Sequence, residues 1–431
     1  MRHASKPLPE ALGGRRPAKG ARPRIGLALA GGGPLGAIWE IGALNALAEA
    51  LPGVDFVALD GYVGVSAGGF LAAGLANGMT PRHLCSAFIE DDAPSGDRVH
   101  PAAFMRPAWT EFAHRAAALP GLAVQVAWQA TLGGQSLLSA AERLGRALPT
   151  GLFSHAPIEA QLRHVLSQPG RTNDFRQLTR RLVLVATDID SGTAAPFGMP
   201  GWDEVPISVA VAASAALPGL FPPVPVNGRW YADGALKKTL HASVLLDLGL
   251  DLIFCLNPLV PFDASHPAGH QVLGSAEPAI PRLVEGGLPV VLSQTFRSLI
   301  HSRLELGLKG YEHSHPGTDV VLFEPDHRDP TLFLANTFGY RQRRALAEHA
   351  YERMRADLRA RRSAIGRQLA RHGLALDDAV LDDPARRLLA ARVRSTRGAR
   401  ALARLAGTLD ELERRLPKTR AQAGRGAADS P

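Results

Sequence analysis

Cysteine is scarce: the 431 residues include only Cys85 and Cys255. That excludes a disulfide-stapled secreted scaffold and any zinc or iron–sulfur site built from several thiolates. Charge is also sparse, at 20% of residues against 46% apolar. The chain can therefore bury a sizeable core, and wholesale disorder is excluded. Membrane-spanning runs are missing as well. Residues 61–81 and 206–228 carry no charge, but the first stretch holds six glycines and the second five prolines, so neither reads as a span. No internal repeat is visible.

The charge that is present is uneven. Residues 1–24 carry a net +6 and residues 385–431 a net +8. Of a chain total of +8, these ends hold +14, which leaves residues 25–384 at −6. A mildly acidic middle argues against a nucleic-acid-binding core. The basic tails have two readings: solvated arginine that aids solubility, or transient docking to an anionic membrane surface. The N-terminus has the basic start of a signal peptide, but its apolar run is short and begins more than twenty residues in. A cytoplasmic protein with a disordered basic leader, able to touch a membrane peripherally, is expected.

Hydrophobic patterning predicts an α/β protein. Residues 25–30 form a short apolar run that ends in glycines, as buried strands do. Ile38, Ile41, Leu44, Leu47 and Leu51 are spaced for one helix face. A strand over 62–65 and a helix over 67–76 follow. Such short links imply a parallel sheet covered on both faces. Residues 181–187 and 252–256 read as core strands and 320–323 as a weaker one. Asn227 and Gly228 suit a two-residue hairpin turn between 224–226 and 229–231. Residues 341–372 read as one long arginine-rich helix. The expected organisation is a leader over 1–23 and a core over 24–265 with a helical insertion at about 90–180. A mostly helical extension over 266–384 and a basic mobile tail over 385–431 complete it.

Three motifs carry chemistry. Gly64-Val65-Ser66-Ala67-Gly68 is a G-x-S-x-G between a strand and a helix. The sharp turn exposes the Ser66 hydroxyl near a helix N-terminus that favours developing negative charge. Gly31, Gly32, Gly33 and Gly36 follow the first strand, and glycines let backbone N–H groups converge on an oxyanion. The same residues also fit a dinucleotide fingerprint, with Asp55 or Asp60 as the ribose acid. Asp233, Gly234 and Ala235 follow the hairpin, in a loop able to present a carboxylate; a plain Asp-Gly turn is the alternative.

In order, GGGPLG, GVSAG and DGA resemble the patatin-like phospholipase family. Residues 186–192 (ATDIDSG) and 210–224 (AVAASAALPGLFPPV) are similar to further segments of that family, and the match covers about residues 24–260. The resemblance implies a three-layer α/β/α fold with a mainly parallel sheet. It implies a Ser66–Asp233 dyad acting on phospholipid or lysophospholipid acyl esters. Gly31, Gly32, Gly33 and Gly36 would form the oxyanion hole, with the N–H groups of Gly32, Gly33 and Ala67 foremost. Gly64, Gly68, Gly234 and Ala235 are its motif residues, and no cofactor or metal is required. Leu35 departs from the family's usual Arg or Lys, which leaves the loop without a side-chain cation. Two other readings stay open. One is a Ser–Asp–His triad using Asp188 or Asp233 with His241, His313 or His315. The other is a catalytically silent lipid-binding protein. Asp188 and Asp190 read otherwise as turn acids.

Overall fold

Short apolar segments bounded by turns build one mixed sheet, and in the computed structural model the chain divides into two compact units, Met1–Leu388 and Leu389–Pro431. The structure describes residues 22–94, 96–99, 105–113, 115–117, 119–121, 148–265, 282–333, 335 and 342–389. The leader through residue 21, the tail from 390 and much of the expected insertion lie outside them. Every described residue but Leu389 belongs to the first unit.

The strands are β1 (Ile25–Leu29), β2 (Gly61–Gly64), β3 (Arg181–Asp188), β4 (Ala194–Phe197), β5 (Val224–Val226), β6 (Arg229–Asp233), β7 (Leu252–Leu256) and β8 (Asp319–Phe323). Hydrogen-bonded neighbours run β5-β6-β3-β2-β1-β7-β8, with β4 also on β3. The β1–β2, β2–β3, β1–β7 and β7–β8 pairs are parallel. β4 and β6 pair with β3 antiparallel, as does β5 with β6. Asn227 and Gly228 both have positive φ, 50° and 76°, as a type I′ hairpin requires.

Register places two strand ends together. β2 stops where Gly64 faces Leu184 of β3, and β6 stops where Asp233 faces Ala186. β4 overlaps both pairings, at Leu184 and again at Ala186 and Thr187. A strand has two edges, so β4 must occupy one, and β2 and β6 share the other end to end. The chain leaving β2 therefore meets the chain leaving β6 about two residues of β3 apart, roughly 7 Å.

Both faces of the sheet are covered. Ala28, Ala30, Val63, Val183, Val185, Ile253 and Cys255 pack with Leu245 and Leu246 of α6 (Ser243–Asp247) and Leu304 of α7 (Gly287–Ser314). Their alternates Leu27, Leu29, Tyr62 and Phe254 are equally buried. Further α-helices among the described residues include α1 (Gly33–Ala50), α2 (Ser66–Ala76), α3 (Pro81–Cys85), α4 (Ala156–Leu166), α5 (Ile207–Ser214), α8 (Arg343–Ala360), α9 (Arg362–Ala370) and α10 (Asp378–Asp382). Among the described residues, no helix is long and apolar enough to cross a membrane.

Three boundaries differ from expectation. α1 starts inside the glycine run and is buried nearly all round rather than on one face, because α8 packs against it. The arginine-rich helix breaks at Arg361, whose guanidinium donates to the Leu322 carbonyl at 3.0 Å and lies over the Phe323 ring. The start of the basic tail is anchored: Arg386 pairs with Glu49 at 2.5 Å, and the Leu388 N–H donates to Glu348.

Gly42 sets the α1–α8 approach. A Cβ there would lie 2.5 Å from the Ala347 carbonyl oxygen and 2.8 Å from the Ala350 Cβ. Helix propensity alone would make Gly42→Ala stabilising by about 1 kcal/mol. Overpacking costs about 1–3 kcal/mol, so we expect a lower melting temperature for Gly42→Ala; an unchanged or higher one in a thermal melt would refute the close approach.

Candidate active site

The turn from β2 into α2 holds Ser66 at φ +52°, a left-handed conformation that a residue with a Cβ adopts only under restraint. Several contacts supply the restraint. The Ser66 N–H donates to Ser214 Oγ at 2.9 Å, and the Ser214 hydroxyl donates to the Val185 carbonyl at 2.6 Å. The end of α5 thus ties the turn to β3. The Gly68 N–H donates to the Ala30 carbonyl at 3.0 Å, and a Cβ at Gly68 would fall 2.3 Å from that oxygen. At Gly64 a Cβ would lie 2.5 Å from the Gly69 Cα. Both glycines of G-x-S-x-G are thus required by backbone approach.

Asp233 ends β6 with its backbone fixed on both sides. Its N–H donates to Ala216, and its carbonyl accepts from the Thr187 hydroxyl, each at 3.0 Å. Its carboxylate accepts the Ala235 N–H at 2.8 Å, and the nearby Ser66 hydroxyl favours its charged form. The carboxyl is buried, and burial pushes it up to about 6, partly opposed by the Ala235 amide and the Ser66 hydroxyl. Gly234 follows because a Cβ there would sit 2.1 Å from the Val185 carbonyl oxygen.

The glycine loop arrives from the third side. A Cβ built on Gly31 would lie 3.2 Å from the Ser66 Cβ and 3.5 Å from the Ala235 Cβ, so all three motifs meet. Gly33 has φ +60° and opens α1. The N–H groups of Gly31, Gly32 and Gly33 donate to no other described residue, and they stand at the positive end of a helix. Gly36 differs from expectation. Its N–H donates to the Gly32 carbonyl at 3.0 Å, so it closes the first turn of α1 instead of facing the loop. Its small size serves packing: a Cβ would lie 3.1 Å from Pro258 Cγ. Leu35 is buried.

The rival residues lie elsewhere or face other partners. Asp188 accepts the Asp190 and Ser191 N–H groups and pairs with Arg229 at 2.7 Å. Burial raises its carboxyl, but Arg229 and the turn amides outweigh this and hold it below the ordinary range. Asp190 is exposed in that turn. His241 is buried, which lowers its imidazole to about 4, and its Nε2 is 3.4 Å from the Gly234 carbonyl. His313 faces the Lys309 carbonyl, and His315 faces Ser314 and Asp247. No described histidine is hydrogen-bonded to Ser66 or Asp233. Asp60 accepts the Ile25 N–H and Asp55 the Val57 N–H. Both lie at the opposite end of β1 from the glycine loop, where neither could hold a ribose bound there.

Ser214 and Thr187 are supporting residues that the sequence reading does not single out, although they lie in the 210–224 and 186–192 segments. Ser214 falls in the 210–224 segment, but a serine in an alanine-rich run carries no local sign of its partner 148 positions away.

The model of the patatin-like phospholipase family matches residues 27–246, a span that includes all three motifs. Among solved structures, the chain is similar to VipD from Legionella pneumophila, at 16% identity over 84% of this chain and 72% of that one, with a TM-score of 0.35. It is similar to ExoU of Pseudomonas aeruginosa, solved in complex with SpcU, at 18% identity over 79% and 53%, TM-score 0.31. Human GIVD cytosolic phospholipase A2, solved with methyl gamma-linolenyl fluorophosphonate, matches at 12% identity over 80% and 59%, TM-score 0.31. The chain spans little more than half the length of the last two.

Ser214→Ala strands the buried Ser66 N–H and the Val185 carbonyl, and a buried polar group left unmatched costs about 1–3 kcal/mol. Its melting temperature should fall by several degrees; no change would mean the turn is braced elsewhere. For Asp233 the folded value of about 6 exceeds the ordinary 3.8, so the fold holds the proton more tightly than the unfolded chain does. That stabilisation is full below about pH 4 and is lost as pH rises through about 6, an effect on the order of 3 kcal/mol. Asp233→Asn should therefore melt above wild type near pH 8 and lose that advantage as the pH falls toward 4. A gap independent of pH would contradict the burial argument.

Proposed function

The chain belongs to the patatin-like phospholipase family, a family of lipid acyl hydrolases, and on that premise we propose that it cleaves acyl ester bonds of phospholipids or lysophospholipids through a Ser66–Asp233 dyad. The observation that carries this reading is the convergence of the three motifs, with a Cβ built on Gly31 lying 3.2 Å from the Ser66 Cβ and 3.5 Å from the Ala235 Cβ beside the buried Asp233 carboxyl, and with glycine-loop N–H groups free to receive an oxyanion.

The chemistry runs in two halves. Ser66 Oγ attacks the ester carbonyl carbon while its proton passes to Asp233. The carbonyl oxygen becomes an oxyanion, held by the N–H groups of Gly32 and Gly33 with that of Ala67 and by the helix ends behind them. Collapse breaks the ester C–O bond, Asp233 returns the proton to the departing alcohol, and an acyl-enzyme remains. Water then attacks that ester, with Asp233 taking its proton. The reverse transfer to Ser66 Oγ releases the fatty acid.

An unaided aspartate is a weak base; burial strengthens it by raising its proton affinity toward working pH. Base function needs the ionised form, so turnover should rise as pH increases through about 6. No histidine is needed in these steps. With Leu35 in place of a loop cation, the oxyanion depends on backbone donors alone.

Ser66→Ala and Asp233→Asn should each lower kcat on a fluorogenic ester and on phospholipid vesicles by about a thousandfold or more, because the pair acts as a unit. The double variant should be little worse than either single one. A fluorophosphonate probe should label Ser66 alone. Multiplicative losses, or labelling that persists in Ser66→Ala, would overturn the assignment.

A further inference from the structure

On one side, α7 closes the sheet through Leu304, with Ile300, Leu308 and Tyr311 beside it. Its neighbour His301 meets the chain that leaves β8. There, one ligand atom each from His301, Glu324 and His327 lies within 4.8 Å of the others. His301 Nδ1 stands 3.5 Å from Glu324 Oε1. The two imidazoles meet edge to face, with centroids 4.9 Å apart at 76°.

Three direct histidine–carboxylate pairs of this protein are tighter, although the His315–Asp247 pair stands at 3.6 Å. His83–Asp97, His349–Asp329 and His372–Asp319 close to 2.7, 2.5 and 2.7 Å, each as a hydrogen bond. His301 and Glu324 stay well outside that range. His301 Nδ1 is cut off from solvent and has no hydrogen-bond partner among the described residues. The spacing instead suits two ligands of one ion: atoms about 2.0–2.1 Å from a tetrahedral zinc stand about 3.4 Å apart.

The surroundings are also those of a ligand set. Glu324 Oε1 accepts from Asn257 Nδ2 at 2.7 Å, and Asn257 Oδ1 is fixed by the Leu259 N–H. On the far side of the His301 ring, Nε2 is 3.4 Å from the exposed Glu305 carboxylate. Metal-binding histidines and carboxylates are commonly oriented by such outer partners.

We propose that His301, Glu324 and His327 bind one divalent transition cation of the zinc class, with solvent completing its coordination. Two imidazoles and one carboxylate favour such an ion over calcium or magnesium, which prefer all-oxygen sites. The ion would join α7 to the end of β8. From there, two connections reach the Ser66–Asp233 site. Arg303 of α7 donates to the Leu236 carbonyl at 3.0 Å, just beyond the Asp233 loop. Asn257 adjoins Pro258, whose Cγ lies 2.9 Å from a Cβ built on Gly32. The cation's part is to position these elements; no step of ester cleavage passes through it.

The test uses the full chain without a histidine tag, stripped by chelator and titrated with Co²⁺ and then Zn²⁺. We expect one Co²⁺ per chain with visible d–d absorption, displaced by Zn²⁺, and a higher melting temperature with either ion. His301→Ala, His327→Ala and the nearly isosteric Glu324→Gln should each weaken Co²⁺ binding at least tenfold, while their far-UV spectra without metal match wild type. If a histidine variant misfolds, Glu324→Gln decides the matter by the same readout. The proposal fails if wild type takes up no Co²⁺, or if the variants that fold bind it as tightly as wild type. Because the readout is metal binding, it stands or falls independently of hydrolysis by Ser66 and Asp233.

Discussion

The edge of β3 that β2 and β6 share is the constraint on which the site depends. A parallel strand and an antiparallel strand can approach one another head-on only where a third strand pairs with both. β3 does this, with Leu184 opposite Gly64 and Ala186 opposite Asp233. Ser66 then needs only a sharp turn to face Asp233. Hydrogen bonds from both sides hold that turn, through Ser214 to Val185 and through Gly68 to Ala30. The glycines are the residues that let backbone meet backbone there.

That compactness has an energetic cost at Asp233. A carboxyl shut away from water is more stable uncharged, and the fold compensates with only the Ala235 amide and the Ser66 hydroxyl. The same poor solvation gives the aspartate its basicity. The burial that costs stability at this side chain is thus also what would suit it to the proposed base role.

Much of this was legible in the sequence because the demands are local. Gly64, Gly68 and Gly234 are fixed by contacts that no Cβ could survive, and Asn227 and Gly228 by positive φ, so each leaves a residue type behind. Short apolar runs announced β1, β3 and β7 equally well. Long-range partners left less trace. Nothing near Ser214 points to Ser66, and nothing in the arginine-rich stretch shows that Arg361 will turn toward Phe323. Gly36 belonged to the right motif, but whether its N–H faces the loop or closes a helix depends on where α1 begins. The burial of α1 on every side was hidden too, because its covering helix lies some 300 residues further along the chain.

The position of β1 also orders events in time. It lies in the interior of the sheet between β2 and β7, yet β7 begins at Leu252, more than 200 residues after Ile25. At roughly 5–20 residues per second, a ribosome needs on the order of tens of seconds to cover that distance. Through that interval the nascent chain has its serine turn and glycine loop but lacks the strand that flanks β1. The helix that covers α1 emerges later still. Completion of the sheet is thereby delayed until most of the polypeptide has been made, and a fragment ending with the last motif would carry Ser66, the glycine loop and Asp233 on β1–β6 but lack β7 and β8, leaving one edge of β1 unpaired.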